Sequence, residues 1–222
     1  MQDQNQKMST RYLAVVAMLT AISFVAVLLA KWIPNVSGFL SYDPKDAVIV
    51  IAGFIFGPLT SVFISVLVSL IEMFTISSTG LYGLLMNVVS TCAFAVPAAW
   101  VYTKYRTQRG AIGGLSLSVA VMALVMVAWN YVITPFYMGV PRETVAGMLA
   151  TVFLPFNLVK GGMNAALTML LYKPVVSALR GAGLVAPPRS GQKGKISFGF
   201  YLFALAVLAT FVLLFLVLVG VL

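Results

Sequence analysis

Long apolar runs separated by short polar turns are the feature that most constrains the fold of this chain. Residues 196–222 contain no charged side chain, and about 20 apolar residues suffice for an α-helix to cross a hydrocarbon layer of about 30 Å. Comparable runs occupy residues 11–33, 59–76, 82–103, 113–131 and 155–172. Because 61% of the residues are hydrophobic and only 9% are charged, the sequence predicts an all-α polytopic membrane protein.

A further apolar segment, residues 46–56, is too short to cross the membrane. It ends at Gly57-Pro58, and at about 1.5 Å per residue it falls well short of about 30 Å. Its outer end, or the loop 34–45 above it, is therefore expected to dip into the bundle, where irregular backbone is tolerated when it is buried or lines a cavity. For Asp43, Lys45 and Asp46 the favoured interpretation is nevertheless a solvated rim with a helix cap.

The runs divide the chain into four parts. These are a polar N-terminal tail (1–10), a six-helix membrane domain (11–180), a Gly-, Pro- and Lys-rich linker (181–195) and an additional, seventh transmembrane helix (196–222). Alternating the crossings places three basic residues on one side and ten on the other. The three are Lys31, Lys45 and Arg142; the ten are Lys7, Arg11, Lys104, Arg106, Arg109, Lys173, Arg180, Arg189, Lys193 and Lys195. The positive-inside rule then predicts that the N-terminal tail and the linker are cytoplasmic.

The most costly polar residues lie in the segment 154–164. On a helix of 3.6 residues per turn, Asn157, Lys160 and Asn164 fall close to one stripe. An ionisable group at membrane depth costs about 2.5 kcal/mol or more, so it normally faces a protein interior or a wet cavity. We interpret the stripe as one wall of a ligand pocket. The alternative is a hydrogen-bonded seam between helices, with the lysine reaching to the surface.

Other unusual polar and aromatic residues collect at the same predicted level, near the extracellular helix ends. They are Phe39, Tyr42, Glu72, Tyr82, Asn130 and Tyr131. Structural seams would scatter polar groups through the whole membrane, so this clustering favours a pocket that opens outward. Aromatic faces for stacking, carboxamides that donate and accept, and one ammonium group suit a planar, heteroaromatic, largely neutral molecule with an imide-like edge.

The sequence argues against several other classes of function. It contains no histidine and a single cysteine, Cys92, and it shows no nucleophile–base pair and no metal-ligand cluster. We therefore expect neither an enzyme nor a metal or cofactor site. The net charge of +9 follows from topology, so nucleic acid is not an expected partner. No Gly-x-x-x-x-Gly-Lys-[Ser/Thr] motif occurs, so uphill uptake would need ATPases supplied in trans.

The first predicted crossing offers a possible helix-docking face. Ala14, Ala17 and Ala21 place small side chains at spacings of three and four residues, which allows another helix to approach closely. Alanine is also common on lipid-facing surfaces, and this remains the alternative.

Three short motifs, in the same order within residues 10 to 180, resemble the riboflavin-specific S-components of energy-coupling factor (ECF) vitamin transporters, the RibU family. They are Tyr42-Asp43-Pro44-Lys45-Asp46, then Asn130-Tyr131 followed by Thr134-Pro135, then Pro155-Phe156-Asn157-Leu158-Val159-Lys160-Gly161. The resemblance implies a six-helix bundle in a prokaryotic cell membrane that binds riboflavin near its outer face. It implies Asn130, Asn157 and Lys160 as flavin contacts.

The resemblance also implies partners. The alanines Ala17 and Ala21 correspond to the family's AxxxA pattern, which docks onto the transmembrane coupling subunit (EcfT), and two ATP-binding subunits (EcfA type) complete the transporter. The seventh apolar run departs from the six-helix pattern. Two other functions stay open from the residues themselves: a proton-coupled secondary transporter of a small heteroaromatic solute, with Glu72 and Lys160 as the proton-linked pair, and a passive membrane scaffold.

Overall fold

The protein is a helical bundle, described by a computed structural model over residues 10–185 and 198–222. Its elements are α1 (Thr10–Ala30), α2 (Lys45–Phe56), α3 (Pro58–Thr75), α4 (Gly80–Tyr105), α5 (Gln108–Met138), α6 (Arg142–Met148), α7 (Leu154–Gly181) and α8 (Phe198–Val219), with a π-helical segment (Leu149–Phe153) that joins α6 to α7. These ranges contain no strand, which confirms the all-α prediction. Residues 1–9 of the predicted tail and 186–195 of the predicted linker lie outside the described residues.

Six of the helices are long and apolar enough to cross a membrane. They are α1, α3, α4, α5, the continuous helix Arg142–Gly181 and α8, so the multi-pass prediction is confirmed. Helix α2 has only 12 residues. It packs against α1, α3, α4 and α7, and nine of its residues are buried. A helix that is apolar on every side is expected at the centre of a bundle, and α2 takes this place.

Close packing around α2 depends on small residues. Gly53 lies where a Cβ atom would come within 2.8 Å of Ala99 Cβ on α4 and would overlap the Ser61 hydroxyl on α3. The chain then reverses at Gly57, whose φ of 102° suits glycine, and Pro58 occupies the first turn of α3. The tight α2–α3 turn therefore keeps the short helix inside the bundle.

Two predicted helix ends were wrong. Helix α5 continues past Tyr131 and through Pro135 to Met138, and α7 continues past Tyr172 and through Pro174 to Gly181. Proline removes one backbone hydrogen bond, but membrane helices tolerate this loss because neighbouring groups satisfy the freed carbonyl. The segment 142–153 is helical and runs into α7 through the π-helical turn.

An aromatic cluster closes the bundle at the end opposite to the loop between α1 and α2. The rings of Phe54 and Tyr102 stack with centroids 4.2 Å apart, and the Tyr102 and Tyr172 hydroxyls lie 2.8 Å apart. The remaining core lies between this cluster and the loop and consists mainly of aliphatic residues of α1, α2, α3 and α4.

Candidate ligand-binding site

A cavity of about 300 Å³ lies at the end of the bundle where the α1–α2 loop folds back. Its walls come from the end of α1, the loop, the end of α3, the start of α4, the end of α5 and the start of α7. This volume is at the lower end of the range for small-molecule pockets, about 300–1,000 Å³. Six of the residues predicted from the sequence line it: Phe39, Glu72, Tyr82, Asn130, Asn157 and Lys160.

Asn130 and Asn157 reach this cavity from two different helices. Each is almost fully buried, and each donates its side-chain amide to the backbone carbonyl four residues earlier, Met126 and Phe153, over 2.7 Å. The Asn130 carbonyl oxygen accepts from the Thr134 hydroxyl at 2.9 Å. These bonds fix the orientation of both carboxamides. Within the described part of the chain, the Asn157 carbonyl oxygen accepts no hydrogen bond, so it is available to a donor on a ligand.

Lys160 sits at the floor of the cavity among oxygen atoms. Its Nζ donates to Asp43 Oδ2 at 3.0 Å and to Ser90 Oγ at 3.3 Å, and it lies 3.7 Å from Asp46 Oδ2. The side chains of Lys160 and Asp43 are 6% and 12% exposed, so the two groups form a buried ion pair.

A second buried ion pair supports the first. Lys45 Nζ donates to Glu72 Oε1 at 2.7 Å and lies 3.9 Å from Asp43 Oδ2. The other Glu72 oxygen accepts from Asn87 at 2.8 Å, and Asp46 Oδ1 accepts from the Thr91 hydroxyl at 2.7 Å. When all are ionised, three carboxylates face two ammonium groups, which leaves one excess negative charge beside the cavity.

The solvated-rim interpretation of Asp43, Lys45 and Asp46 was wrong. Lys45 and Asp46 are fully buried and Asp43 is 8% exposed. Because α2 is short, its first turn and the loop above it lie inside the bundle, as its length had indicated. At that depth a charge needs a partner, and Lys160 and Glu72 supply it.

Two predicted residues, Tyr42 and Asn164, are buried outside the cavity wall. The Tyr42 hydroxyl donates to Asn164 Oδ1 at 3.1 Å, and Asn164 Nδ2 donates to the backbone carbonyl of Asp43 at 3.0 Å. Both therefore fasten the loop to α7.

Tyr131, also predicted, is 41% exposed and does not line the cavity. Its ring centroid lies 6.0 Å from the Arg142 guanidinium carbon.

Several residues that line the cavity were not predicted from the sequence. Asp43, Asn87, Ser90, Thr134, Tyr137 and Phe156 all contribute to the wall. One signal was present: Asn130, Thr134 and Tyr137 follow the i, i+4, i+7 spacing of a helix face. Tyr137 lies with its ring 6.3 Å from that of Tyr82, so the aromatic surface is larger than predicted.

The alanine face of α1 lies apart from this site. Ala14, Ala17 and Ala21 are all exposed, and the opposite face of α1 buries Val15, Val16 and Leu19. Small side chains thus leave a shallow, uncovered strip along α1. Elsewhere in the described residues, no group of three or more His, Cys, Asp or Glu side chains is arranged to hold a metal ion.

Comparisons with known proteins agree with this architecture. Residues 11–172 match the family described as "ECF transporter, substrate-specific component". The chain is 29% identical to the riboflavin transporter FmnP of Bacillus subtilis (strain 168), with 79% of this chain and 98% of the relative covered. It is 27% identical to the riboflavin transporter RibU of Staphylococcus aureus (strain TCH60), with 80% and 94% covered.

A solved structure has a similar fold. It is described as "Structure and mechanism of the S component of a bacterial ECF transporter", and it superposes with a TM-score of 0.65 at 27% identity, over 76% of this chain and 96% of that one. The family match covers well over half of the sequence and includes every residue that lines the cavity. The chain therefore belongs to the substrate-specific components of ECF transporters.

Proposed function

We propose that this chain captures riboflavin from outside the cell in the cavity between the loop and α7. The observation that carries the proposal is the meeting of Asn130, Asn157 and Lys160 at one hollow, in a family member whose relatives are named riboflavin transporters. The Asn157 carbonyl oxygen accepts no hydrogen bond from the described residues. A donor on the ligand therefore gains a hydrogen bond there without breaking one in the protein.

The wall offers a role for each part of the vitamin. The flavin ring stacks among Phe39, Tyr82 and Tyr137, and its polar edge pairs with the carboxamides of Asn130 and Asn157. Lys160 donates to a ring carbonyl or a ribityl hydroxyl with the hydrogen atom that Asp43 and Ser90 leave free. Tyr42, Tyr131, Asn164 and Glu72 act indirectly, because the first three lie outside the wall and Glu72 pairs with Lys45 and Asn87.

Uptake requires partners that supply energy. As a member of the ECF substrate-specific components, the chain works with other ECF subunits. We propose that the exposed Ala14, Ala17 and Ala21 strip docks onto the coupling subunit EcfT, that two EcfA-type ATPases drive the cycle, and that the N-terminus is cytoplasmic. Since an aromatic cluster closes the inner end of the bundle, release inward requires the bundle as a whole to reorient. The chain transports its ligand without changing it chemically.

Transport measurements test this proposal. Membrane vesicles that contain the chain with coupling and ATPase subunits should accumulate riboflavin only when ATP is supplied, and dissipating the proton gradient should leave the rate unchanged. Omitting the ATPases is the control and should abolish accumulation. Uptake that persists without ATPases and collapses with the proton gradient would contradict the proposal.

The structure gives no support to the proton-coupled alternative in its original form. That hypothesis paired Glu72 with Lys160, whereas the described contacts pair Glu72 with Lys45 and Lys160 with Asp43. Among the described residues, Glu72 is linked to Lys160 through Lys45 and Asp43, which lie 3.9 Å apart, so the two predicted groups make no direct contact. The geometry favours a static, structural network over a proton relay between the two predicted groups.

A further inference from the structure

The loop between α1 and α2 separates the cavity from helix α8. Asn35, Phe39 and Ser41 line the cavity, whereas Tyr42 is 4% exposed and turns toward α8. The ring of Tyr42 lies with its centroid 6.0 Å from that of Phe215, at an interplanar angle of 58°. Its hydroxyl group is bonded to Asn164 on α7. On the side away from the cavity, the loop is therefore held by contacts with both α7 and α8.

Helix α8 is docked at a defined place on α7. A Cβ atom at Gly162 would overlap the ring of Phe211, so the glycine makes the notch into which this ring fits. Phe215 lies one turn further along the same face of α8 and is 4% exposed. The fit of the Phe211 ring against Gly162 therefore fixes the position of α8 along α7, and this position determines where Phe215 contacts Tyr42.

One apolar cluster joins the loop, the cavity wall and α8. It contains Val36 and Tyr42 from the loop, Phe156 and Val159 from α7, and Phe215 from α8. Phe156 also lines the cavity. Moving the loop away from the cavity would uncover this cluster and separate the Tyr42 and Phe215 rings, so the contact with α8 opposes opening.

We propose that Phe215 is a positioning residue that holds the α1–α2 loop closed over the cavity and thereby sets how fast the ligand enters and leaves. The inference rests on the proposed function of the cavity. Helix α8 lies beyond the residues that match the family, so this device belongs to the additional helix and not to the six-helix bundle. Phe215 itself does not line the cavity and acts only through Tyr42.

The Tyr42–Phe215 contact should affect the rates of ligand binding more than the affinity. Phe215→Ala removes a ring contact that is made in the closed loop and lost in the open one, whether or not the ligand is present. Both the association rate and the dissociation rate should therefore rise, by roughly 3- to 10-fold for the loss of one aromatic pair. The equilibrium affinity should change much less than either rate.

The experiment compares full-length variants by stopped-flow fluorescence with riboflavin. Leu208→Ala is the matched control, because Leu208 packs against the same cluster but lies seven residues, about 10 Å, further from the loop end of α8. It should lower thermal stability to a similar extent and leave the rates at the wild-type value. Phe215→Leu keeps apolar bulk and should give intermediate rates. Equal rates in wild type and Phe215→Ala, or equal acceleration in Leu208→Ala, would overturn the proposal.

A second measurement needs no ligand. Hydrogen exchange followed by mass spectrometry should show faster exchange of the loop 34–43 in Phe215→Ala than in wild type and Leu208→Ala, all without riboflavin. Unchanged exchange of the loop would overturn the proposal even if the chain binds a different molecule. If the wild-type chain fails to bind riboflavin while the loop still exchanges faster in Phe215→Ala than in wild type, the result would refute the substrate and uphold the role of Phe215.

Discussion

In the proposed function, Lys160 serves both the fold and the ligand. Its ammonium group is held by Asp43 and Ser90 at 3.0 and 3.3 Å, so its position is fixed before any ligand arrives. A donor that is already oriented loses little rotamer freedom when it binds, and such preorganisation increases affinity. The same ion pair ties the loop to α7, so ligand recognition and loop position share one contact.

Asn157 should contribute to binding more than to stability. Replacing it with alanine removes a polar group at the cavity, and a lost buried hydrogen bond of about 1–3 kcal/mol corresponds to an affinity for riboflavin weaker by about 5- to 150-fold. Calorimetric titration of purified protein measures this change. The control is Thr168→Ala, a buried polar residue on the same helix that bonds the Asn164 carbonyl and does not line the cavity. A wild-type affinity in Asn157→Ala would show that Asn157 is not a ligand contact.

The Lys45–Glu72 pair should be coupled in stability. Lys45→Met leaves Glu72 buried without its 2.7 Å partner, and losing one partner of a buried pair costs about 3–5 kcal/mol. The double variant Lys45→Met, Glu72→Met removes both charges and should recover much of that loss. Denaturation of wild type, Lys45→Met, Glu72→Met and the double variant in mild detergent, without ligand, gives the coupling free energy. If the two single effects simply add, the ion pair carries no mutual stabilisation.

The polar residues of α5 and α7 were predictable, but the charges of the loop were not. Asn130, Asn157 and Lys160 interrupt apolar helices, and the cost of burying them signals a shared cavity. The pairing of Asp43 with Lys160 depends on how deeply α2 starts, which follows from packing against four neighbouring helices. Exposed loop charges and buried ones look alike in a single sequence.

At the level of the elements, α1 has two different faces. One face packs against α2 and α3, and the other presents Ala14, Ala17 and Ala21 uncovered. Filling this strip with a large side chain should block close approach of another helix and leave the cavity unaffected, because none of the three alanines lines it.

Ala17→Leu therefore separates binding from transport. We expect ATP-dependent riboflavin uptake in vesicles to fall by tenfold or more (about 1.4 kcal/mol of docking energy corresponds to each factor of ten), with the dissociation constant for riboflavin unchanged. A useful comparison is Leu124→Trp, an equally bulky change at a lipid-facing position of α5 that is 68% exposed. Normal transport by Ala17→Leu would assign the alanine strip to lipid contact alone.

Helix α8 gives a prediction about topology. If the N-terminus is cytoplasmic, α8 runs outward and Leu222 lies outside the cell. Alkaline phosphatase fused after Leu222 should be active, and the same reporter fused after Gly181 should be inactive, because that enzyme needs the outside environment for its disulfides. The reverse pattern would invert the orientation of the whole bundle.

The number of spanning helices was predictable from their apolar length, but several helix ends were not. The predicted runs end at Tyr131 and Tyr172, although α5 and α7 continue through Pro135 and Pro174 to Met138 and Gly181. The contact of α8 with the loop also has no local signal. It depends on the Phe211 ring meeting the notch at Gly162, two positions that only the folded bundle brings together.

For the whole molecule, the two ends of the helical bundle differ in structure. One end holds a cavity with buried charges, amides and aromatic rings, and the other is closed by stacked aromatic side chains. Under the proposed function, a bundle arranged in this way captures its ligand at the open end, and ATPases supplied as separate subunits drive its release.

Equilibrium titration of the purified full-length chain with riboflavin tests the central claim most directly. Because the proposed site is one cavity of about 300 Å³, flavin fluorescence should be quenched saturably with a stoichiometry of one riboflavin per chain. Protein purified in mild detergent should also carry the yellow vitamin with it. A chain that shows no saturable quenching, although it remains folded by its melting transition, would contradict the account.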